Sequence, residues 1–214
     1  MKKEFSTKPE KYTDKWPGQM EWFSWQDFLA AIPLPIFLAT TYKSNGRENA
    51  SLQSWSTFSG QGGKYICLLG SVSKHGHLYQ TIRETGCCVL NFPSMDIYDK
   101  CLATIKNNDF EKDEITVSGL TSEKAVKVNA PRVKECFLNI ECEFLWEHDQ
   151  FENSANAVMA LRAVNVAMDS DYYDESKLGR YGRTGYIYNM RCPQNPDTGE
   201  AGREGLGILE KIDL

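Results

Sequence analysis

The chain has 214 residues, a formal net charge of -5 and a hydrophobic fraction of 41%. This length can bury a sizeable core, while the acidic balance argues against a nucleic-acid partner, which would favour a basic face. The sequence has no apolar run long enough to span a bilayer and no apolar core of an export signal near its start, so we expect a cytoplasmic protein without a membrane partner.

The first element predicted along the chain is a short helix. Residues 1–20 are polar, rich in lysine and interrupted by proline, which is typical of a mobile arm or of a strap on a partner subunit. Ser24 with Asp27 resembles a capping box ahead of an apolar run. The helix should stop before Pro33, because the residue that precedes a proline disfavours helical geometry.

Three strands are predicted next. Residues 36–42 are apolar and rich in β-formers, and Asn45-Gly46 is a hairpin signal because this pair tolerates positive φ. We expect residues 48–58 to return as one second strand. After a glycine-rich turn, residues 65–69 are expected to form a third strand, and their continuous apolar run predicts burial on both faces.

A helix, a strand and a second helix follow. Residues 76–85 have apolar side chains at helical spacing, and Gly86 is suited to end that helix. Residues 87–92 predict a strand, and residues 96–106 predict a helix. The charged stretch 107–127 is expected to cover the rest of the fold as a loop and a short helix. The apolar residues at helical spacing in the second helix are Ile97, Cys101, Leu102 and Ile105.

The clearest alternation of apolar and polar residues lies in residues 136–148, followed by a further predicted strand over 157–168. One face of the first of these strands would carry Cys136, Leu138, Ile140, Cys142, Phe144 and Trp146. The opposite face would carry Asn139, Glu141, Glu143 and Glu147.

This pattern of strands, hairpin signals and few helices predicts a mainly β fold, either a barrel or a sandwich. No internal repeat or linker is visible, so we expect one domain over residues 21–192, with an N-terminal arm at 1–20 and a C-terminal tail at 193–214. The seven cysteines lack metal-like spacing and form no C-x-x-C pair. They predict reduced thiols in the core and no metal site.

Several short motifs occur in a fixed order between residues 49 and 91. They are Asn49-Ala50-Ser51, Ser54-Trp55-Ser56, Lys74, His77, Thr81-Ile82-Arg83-Glu84-Thr85-Gly86 and Val89-Leu90-Asn91. In order and spacing, this set resembles the flavin reductase-like family, which includes the flavoredoxins. The resemblance implies an FMN-binding split barrel, a Greek-key β-barrel with flanking helices. One departure is the turn Gly60-Gln61-Gly62-Gly63, where many relatives carry Asp-Pro-Pro.

The resemblance also implies which residues would hold FMN. Small side chains and hydroxyls let a backbone approach a flat ligand and bond its polar edge, and a cation beside a helix start can hold a phosphate. Plainer alternatives stay open: a core position for the tryptophan, a solvated strand face for the serines, and turn roles for the asparagines. The expected cofactor-binding residues are Asn49, Ser51, Gln53, Ser54, Trp55, Ser56, Ser71, Lys74, His77, Thr81 and Asn91.

By the same resemblance, we expect an oxidoreductase in which hydride from NAD(P)H passes to the flavin N5 atom and electrons leave to free flavin, a metal chelate or a protein acceptor. No Rossmann glycine motif is visible, so a nicotinamide would have to stack directly on the flavin. Relatives are usually homodimers with the flavin near the subunit interface. The alternatives are a non-catalytic FMN-binding electron carrier and a β-barrel interaction protein that has lost its ligand. No catalytic residue is assigned.

Overall fold

The computed structural model describes residues 2–212, which contain twelve strands, six α-helices and two short 3-10 helices. The helices are α1 (Gln19–Trp22), α2 (Trp25–Ala30), α3 (His77–Thr85), α4 (Tyr98–Lys106), α5 (Glu114–Val117) and α6 (Ser170–Tyr173), with 3-10 turns at Met95–Ile97 and Gly182–Thr184. The strands are β1 (Leu34–Pro35), β2 (Phe37–Tyr42), β3 (Glu48–Gln53), β4 (Ser56–Gln61), β5 (Lys64–Ser73), β6 (Cys87–Phe92), β7 (Ser122–Lys124), β8 (Pro131–Val133), β9 (Leu138–Asp149), β10 (Asn156–Met168), β11 (Ile187–Asn189) and β12 (Leu206–Ile208).

The main sheet has seven antiparallel strands in the order β3-β2-β6-β9-β10-β5-β4. Its two edge strands, β3 and β4, follow one another in sequence and are joined only by Ser54 and Trp55. Three Cα steps span at most about 11 Å, so the sheet must roll until its edges meet at this corner. The mainly β barrel is therefore confirmed, and the β9–β10 hairpin lies between β5 and β6, as a Greek-key connection requires.

The prediction of a single strand over residues 48–58 was wrong. Its first part pairs with β2 at one edge of the sheet, and its second part pairs with β5 at the other edge. The chain therefore turns at Ser54, which is buried, and at Trp55, which is half-buried. Sequence alternation alone does not reveal a corner of this kind, because both halves keep the period of a strand.

The turn that leads from β4 into β5 is a two-residue hairpin, in which Gly62 has φ of +57° and Gly63 has φ of +74°. Two consecutive residues in the left-handed region match the turns that suit twisted hairpins. The strand that follows was expected to be buried on both faces, and this was wrong. Cys67 and Leu69 are buried on one face of β5, whereas Ile66 and Leu68 on the other face are only half-buried.

The barrel interior is apolar and largely aromatic. Phe37 is fully buried on β2, and its ring centroid lies 5.3 Å from that of Phe92 at the end of β6. Helix α3 packs Leu78 and Ile82 into the same cluster. The helix ends at Gly86, as predicted, with φ of +71°. Burial of these side chains supplies most of the driving force for closing the sheet.

A second apolar cluster holds helices α4 and α5 on the outside of the barrel. It contains Leu38 of β2, Cys101 of α4 and Ile115 of α5. The helix predicted over 96–106 is confirmed as α4, but not all of the apolar residues at helical spacing in it are buried. Ile105 is 59% exposed and Leu102 is 41% exposed, because only one narrow side of α4 contacts the sheet.

One expectation about β9 was reversed by the fold. Asn139 and Glu141 were placed on the polar outer face, but both are buried, because the segment that carries β7 and β8 covers this face. Glu141 accepts hydrogen bonds from Arg132, from Asn165 and from the backbone N–H groups of residues 126 and 127. Burial opposes ionisation of Glu141, but these donors outweigh it and lower its pKa to about 2.

The chain divides into two compact units, one containing residues up to Leu34 with Tyr188–Gly207, and the other Pro35–Ile187 with the residues from Ile208 onward. Within the first unit, Tyr12 is buried and its hydroxyl donates to the Gln194 carbonyl at 2.7 Å. These boundaries differ from those expected at residues 20 and 192, since the N-terminal segment packs against residues near 194. A division into functional domains stays a prediction.

Within the described residues, the helix predicted after Ser24 is confirmed. The Ser24 hydroxyl accepts from the Gln26 backbone N–H at 3.2 Å. Asp27 does not complete a capping box; its carboxylate binds Arg191 at 2.7 Å.

All seven cysteines are free and buried, as predicted, and burial raises the pKa of Cys101 to about 12. None of the described helices has the length and apolar character needed to cross a membrane.

Candidate functional site

A cleft of about 220 Å³ opens on the outside of the barrel, where edge strand β3 meets the end of β5, the start of α3 and the end of α4. Its lining combines small polar groups with a few apolar side chains. The lining residues are Asn49, Ala50, Ser51, Leu52, Gln53, Val72, Ser73, Gly76, His77, Leu78, Thr104, Ile105 and Asn108.

Strand β3 contributes a row of small and polar side chains. Among the described strands, β3 pairs only with β2. On its other edge the Ala50 N–H binds the Glu114 carboxylate, and the residues from Ser51 to Gln53 border the cleft. Ser51 and Gln53 lie on the same side of the strand, as alternation predicts, and the Gln53 Nε2 donates to the Ser51 Oγ at 2.8 Å. This arrangement presents a hydroxyl and an amide side by side at the cleft.

A bulge at the end of β5 directs the next residues toward the cleft. The register with β10 shifts between Ala157 and Met159, and Ser71 adopts a φ of +56°. A bulge of this kind bends the strand and re-aims the side chains that follow. Here those side chains are Val72 and Ser73, which both line the cleft.

Helix α3 begins at the cleft without a side-chain cap. Its N-cap residue is Gly76, which offers no side chain to accept from the first backbone N–H groups. Uncapped N–H groups at a helix start carry partial positive charge and favour anionic ligands.

A buried chain of hydrogen bonds fixes the helix start against the sheet. The Asn49 Nδ2 donates to the Thr41 Oγ1 at 3.2 Å, and that oxygen lies 2.6 Å from the Thr81 Oγ1. Thr81 in turn donates to the His77 carbonyl at 2.8 Å. Thr81 therefore positions the first turn of α3 rather than lining the cleft.

A buried ion pair lies behind this part of the cleft. The Lys43 Nζ is 2.9 Å from the Glu114 Oε1, and both side chains are almost fully buried. Glu114 also accepts from the Ala50 backbone N–H at 2.9 Å, which ties α5 to β3. The His77 Nδ1 lies 3.6 Å from the same Glu114 oxygen and is buried without a hydrogen-bond partner.

Of the residues predicted to bind a cofactor, the structure brings Asn49, Ser51, Gln53 and His77 to the cleft. The remaining ones do not line it. Ser54, Trp55 and Ser56 form the corner between β3 and β4, and the Ser71 hydroxyl accepts from Asn156 at 3.3 Å. Three more of the predicted residues also lie outside the cleft lining: Lys74, Thr81 and Asn91.

Lys74 and Asn91 have partners in the protein. The Lys74 Nζ lies 2.6 Å from the Asp149 Oδ1, beside the loop that leads into α3. The Asn91 amide is fully buried: its nitrogen donates to the Leu38 carbonyl at 3.0 Å, and its oxygen accepts from the Val133 backbone N–H at 2.9 Å. A side chain satisfied in this way has a structural role.

Sequence reasoning missed the contribution of α4 to the cleft. Thr104, Ile105 and Asn108 line it from the end of the helix. The spacing of Ile105 is typical of a buried helix face, so the sequence contained no signal that this residue would be exposed at a cleft. The pair formed by Lys43 and Glu114 was also missed, because these residues are 71 positions apart in the chain.

The residues present fit a flavin. The cleft offers hydroxyl and amide groups for a polar ring edge, apolar side chains for a ring face, and an uncapped helix start for an anion. The orphaned His77 Nδ1 is a polar atom for which the protein alone supplies no partner. The volume is below the roughly 300–1,000 Å³ of typical ligand pockets, so this chain would enclose only part of such a ligand.

Another surface depression lies along the β4–β5 hairpin and is lined by Ser59, Gly60, Gln61, Gly62, Lys64 and Ile66. None of the residues predicted to bind a cofactor lines this depression. Among residues 2–212, no three or more His, Cys, Asp or Glu side chains are grouped so as to hold a metal ion.

Comparison with known proteins agrees with the barrel. The nitrilotriacetate monooxygenase component B from Bacillus cereus superposes with a TM-score of 0.74 at 17% identity, over 100% of both chains. The flavoredoxin of Desulfovibrio vulgaris (Miyazaki F) superposes with a TM-score of 0.63 at 18% identity, over 85% of this chain and 90% of that chain. These similarities establish the split-barrel fold.

A sequence relative from Methanothermobacter thermautotrophicus, described as an uncharacterized protein, is 25% identical over 145 residues, which is 67% of this chain and 67% of the relative. Residues 29–185 match the family described as flavin reductase like domain. This match covers most of the chain and all of the elements that line the cleft. The chain therefore belongs to the flavin reductase-like family.

Proposed function

We propose that this protein is an FMN-binding oxidoreductase that takes electrons from NAD(P)H and passes them to an acceptor. The observation that carries the proposal is the cleft itself, in which the polar edge of β3 and the uncapped start of α3 face the same space. The side chains of β3 suit a flat heteroaromatic ring, and the start of α3 suits an anion. Membership of a flavin-binding family makes FMN the ligand that fits both parts.

In this proposal, β3 holds the ring and the start of α3 holds the phosphate. Ser51 and Gln53 would bond the polar edge of the ring, and Ile105 and Leu52 would contact its face. Ser73 and the first N–H groups of α3 would bond the phosphate, with Lys74 close to them in sequence. When bound, the flavin supplies the redox chemistry, and the protein supplies position and shields the site from water.

The half-open cleft supports two further parts of the proposal. A nicotinamide can approach the ring from the open side, since the sequence contains no separate dinucleotide-binding motif. We also propose that the protein is a homodimer in which a second copy covers part of the exposed apolar surface around Ile105, which is 59% exposed. A cytoplasmic location and a protein electron acceptor stay predictions from sequence.

The proposed activity is tested by mixing the FMN-loaded protein with NADH or NADPH under anaerobic conditions and following the flavin absorbance. We expect reduction within seconds with at least one of the two. Bound flavin that neither nucleotide reduces would contradict the proposed reductase activity and would instead indicate an electron carrier. Free FMN treated in the same way is the control for uncatalysed reduction.

Replacement of Lys74 by alanine tests the phosphate end of the site. In this proposal the Lys74 ammonium exchanges Asp149 for the phosphate when FMN binds. We expect the affinity for FMN to fall about three- to tenfold, because one partly exposed charge-assisted contact is worth roughly 1 kcal/mol. The affinity for riboflavin, which has no phosphate, should not change. The matched control is Lys64→Ala at the exposed start of β5. Equal losses for FMN and riboflavin would contradict the assignment of Lys74.

A further inference from the structure

The ion pair behind the cleft is electrically balanced without His77. The Lys43 side chain is fully buried, and its Nζ donates to the carbonyl groups of Asp109 and Lys112 at 2.7 and 2.8 Å as well as contacting Glu114. Glu114 uses both carboxylate oxygens, one for Ala50 and the other shared between Lys43 and the Asp109 backbone N–H. The two buried charges therefore compensate one another, and the hydrogen-bonding groups of both side chains have partners.

His77 lies between this pair and the cleft. Its Nδ1 is buried, lacks a hydrogen-bond partner and lies 3.6 Å from the Glu114 Oε1. Its side chain is still 26% exposed, so the ring reaches the cleft that it lines. The Phe110 ring packs edge-on against the imidazole, with centroids 6.0 Å apart. The imidazole thus has one nitrogen directed at a carboxylate and one face limited by an aromatic ring.

The surrounding charges decide when His77 can carry a proton. Lys74 is paired with Asp149, and the Asp109 carboxylate lies 3.6 Å from the Lys112 ammonium. A proton on His77 would therefore add one uncompensated positive charge to a largely buried cluster, which is costly until an anion enters the cleft. The charged groups on the segments around the imidazole include Lys43, Arg47, Glu48, Lys74, Lys106, Asp109, Lys112, Asp113 and Glu114.

We propose that His77 takes up a proton when an anionic ligand tail enters the cleft, with Glu114 accepting the Nδ1–H and the charged ring facing the anion. For the FMN of the proposed function, on which this inference rests, phosphate binding is then coupled to the uptake of up to one proton. Histidine is the side chain suited to such coupling, because its charge changes near neutral pH. Glu114 acts as a positioning residue that holds the ring by the Nδ1–H.

Coupling of this kind makes the affinity for FMN depend on pH. Where binding takes up one full proton, the dissociation constant rises about tenfold for each unit by which pH increases. Riboflavin has the same ring system without the phosphate, so its affinity should stay constant over the same range. Between pH 7.5 and 8.5 the FMN phosphate is already a dianion, with its second ionisation near pH 6, so its own titration contributes little.

The test is calorimetric titration of the full chain with FMN at about pH 7.5, in two buffers that differ in ionisation enthalpy. The difference in observed heat gives the number of protons taken up. We expect about half to one proton for FMN and about zero for riboflavin. In His77→Gln, which keeps a polar side chain of similar reach, the uptake with FMN should disappear. The matched control is His75→Gln, an exposed position two residues earlier that does not line the cleft.

The role of Glu114 is tested in the double variant Lys43→Met with Glu114→Gln, which removes both buried charges and so avoids an unpaired lysine. Proton uptake should fall in this variant even where FMN still binds. If FMN binds to the unchanged protein without proton uptake, or if His77→Gln takes up as many protons as the unchanged protein, the inference is overturned while the proposed function stands. If FMN does not bind at all, the proposed function itself is overturned.

Discussion

Replacement of Glu141 by glutamine is expected to lower the free energy of unfolding by about 3 kcal/mol at pH 7. The Glu141 side chain is fully buried and accepts from Arg132, Asn165 and two backbone N–H groups. The amide cannot accept at its nitrogen, so some of these donors lose their partner. The buried Arg132 also loses its nearest counter-charge and keeps only the half-exposed Glu123 at 3.8 Å. Denaturant unfolding followed by circular dichroism measures the change.

The lowered pKa of Glu141, which results from the same hydrogen bonds, corresponds to a similar magnitude. It is lowered from 4.5 to about 2 in the folded protein, and a shift of that size corresponds to about 3 kcal/mol. Because the folded-state pKa is the lower one, this stability is fully present above about pH 4.5 and is lost as pH falls toward 2. The Glu141→Gln variant should therefore lose less stability than the unchanged protein between pH 5 and 3.

Glu143 is the matched control, since it lies two residues away on β9 and is paired with Arg162. Both side chains of that pair are nearly half exposed, at 45% and 46%. Exposed pairs contribute up to about 1 kcal/mol, so Glu143→Gln should have a small effect and leave the acid dependence unchanged. Equal losses in the two variants would contradict the role assigned to the buried network.

The second large effect is expected from filling the cleft. The Ser51→Phe variant places an aromatic ring on the edge strand, in a space of about 220 Å³. We expect the affinity for FMN to fall at least about a hundredfold, because the ring of the ligand and the new side chain cannot occupy the same volume. Ser51 is half-buried at the edge of the sheet, so the fold should tolerate the change.

The control for this variant is Thr57→Phe, at an exposed position on the opposite edge strand β4. It adds a similar aromatic surface outside the cleft and should leave FMN affinity within about twofold. Flavin fluorescence gives the dissociation constants, and circular dichroism shows whether each variant is folded. If Ser51→Phe is folded and binds FMN as well as Thr57→Phe does, the flavin is not held in this cleft.

The local elements were predictable wherever the chain carries its own signals. The turn at Asn45-Gly46 and the helix that ends at Gly86 both depend on backbone preferences of one or two residues. The corner at Ser54 and Trp55 depends instead on which strands each half pairs with. Local sequence does not determine that the first half pairs with β2 and the second half with β5. The corner could therefore not be predicted.

Part of the site was also predictable from local sequence. Strand alternation places Ser51 and Gln53 on one side, and the structure brings both to the cleft. The resemblance to a family could not show that Thr81 and Asn91 are satisfied by partners within the protein, because those partners come from other strands. Only the tertiary fold decides which polar residues of such a motif face a ligand and which bond other parts of the protein.

Buried charge was the least predictable property of this chain. Glu141 alternates with apolar residues and therefore resembles a residue on a solvated strand face. It is buried because a segment earlier in the chain, containing β7 and β8, lies over that face and supplies donors. The pair of Lys43 and Glu114 has the same origin, since α5 returns over the end of β2. Each of these contacts joins segments that only the tertiary fold brings together.

The most direct test of the flavin site is an equilibrium titration of the purified full chain with FMN, followed by quenching of flavin fluorescence. We predict saturable binding of one FMN per chain with a dissociation constant at or below the micromolar range, and weaker binding of riboflavin, which lacks the phosphate. A folded protein that shows no saturable FMN binding in that range would contradict the claim that this cleft is a flavin site.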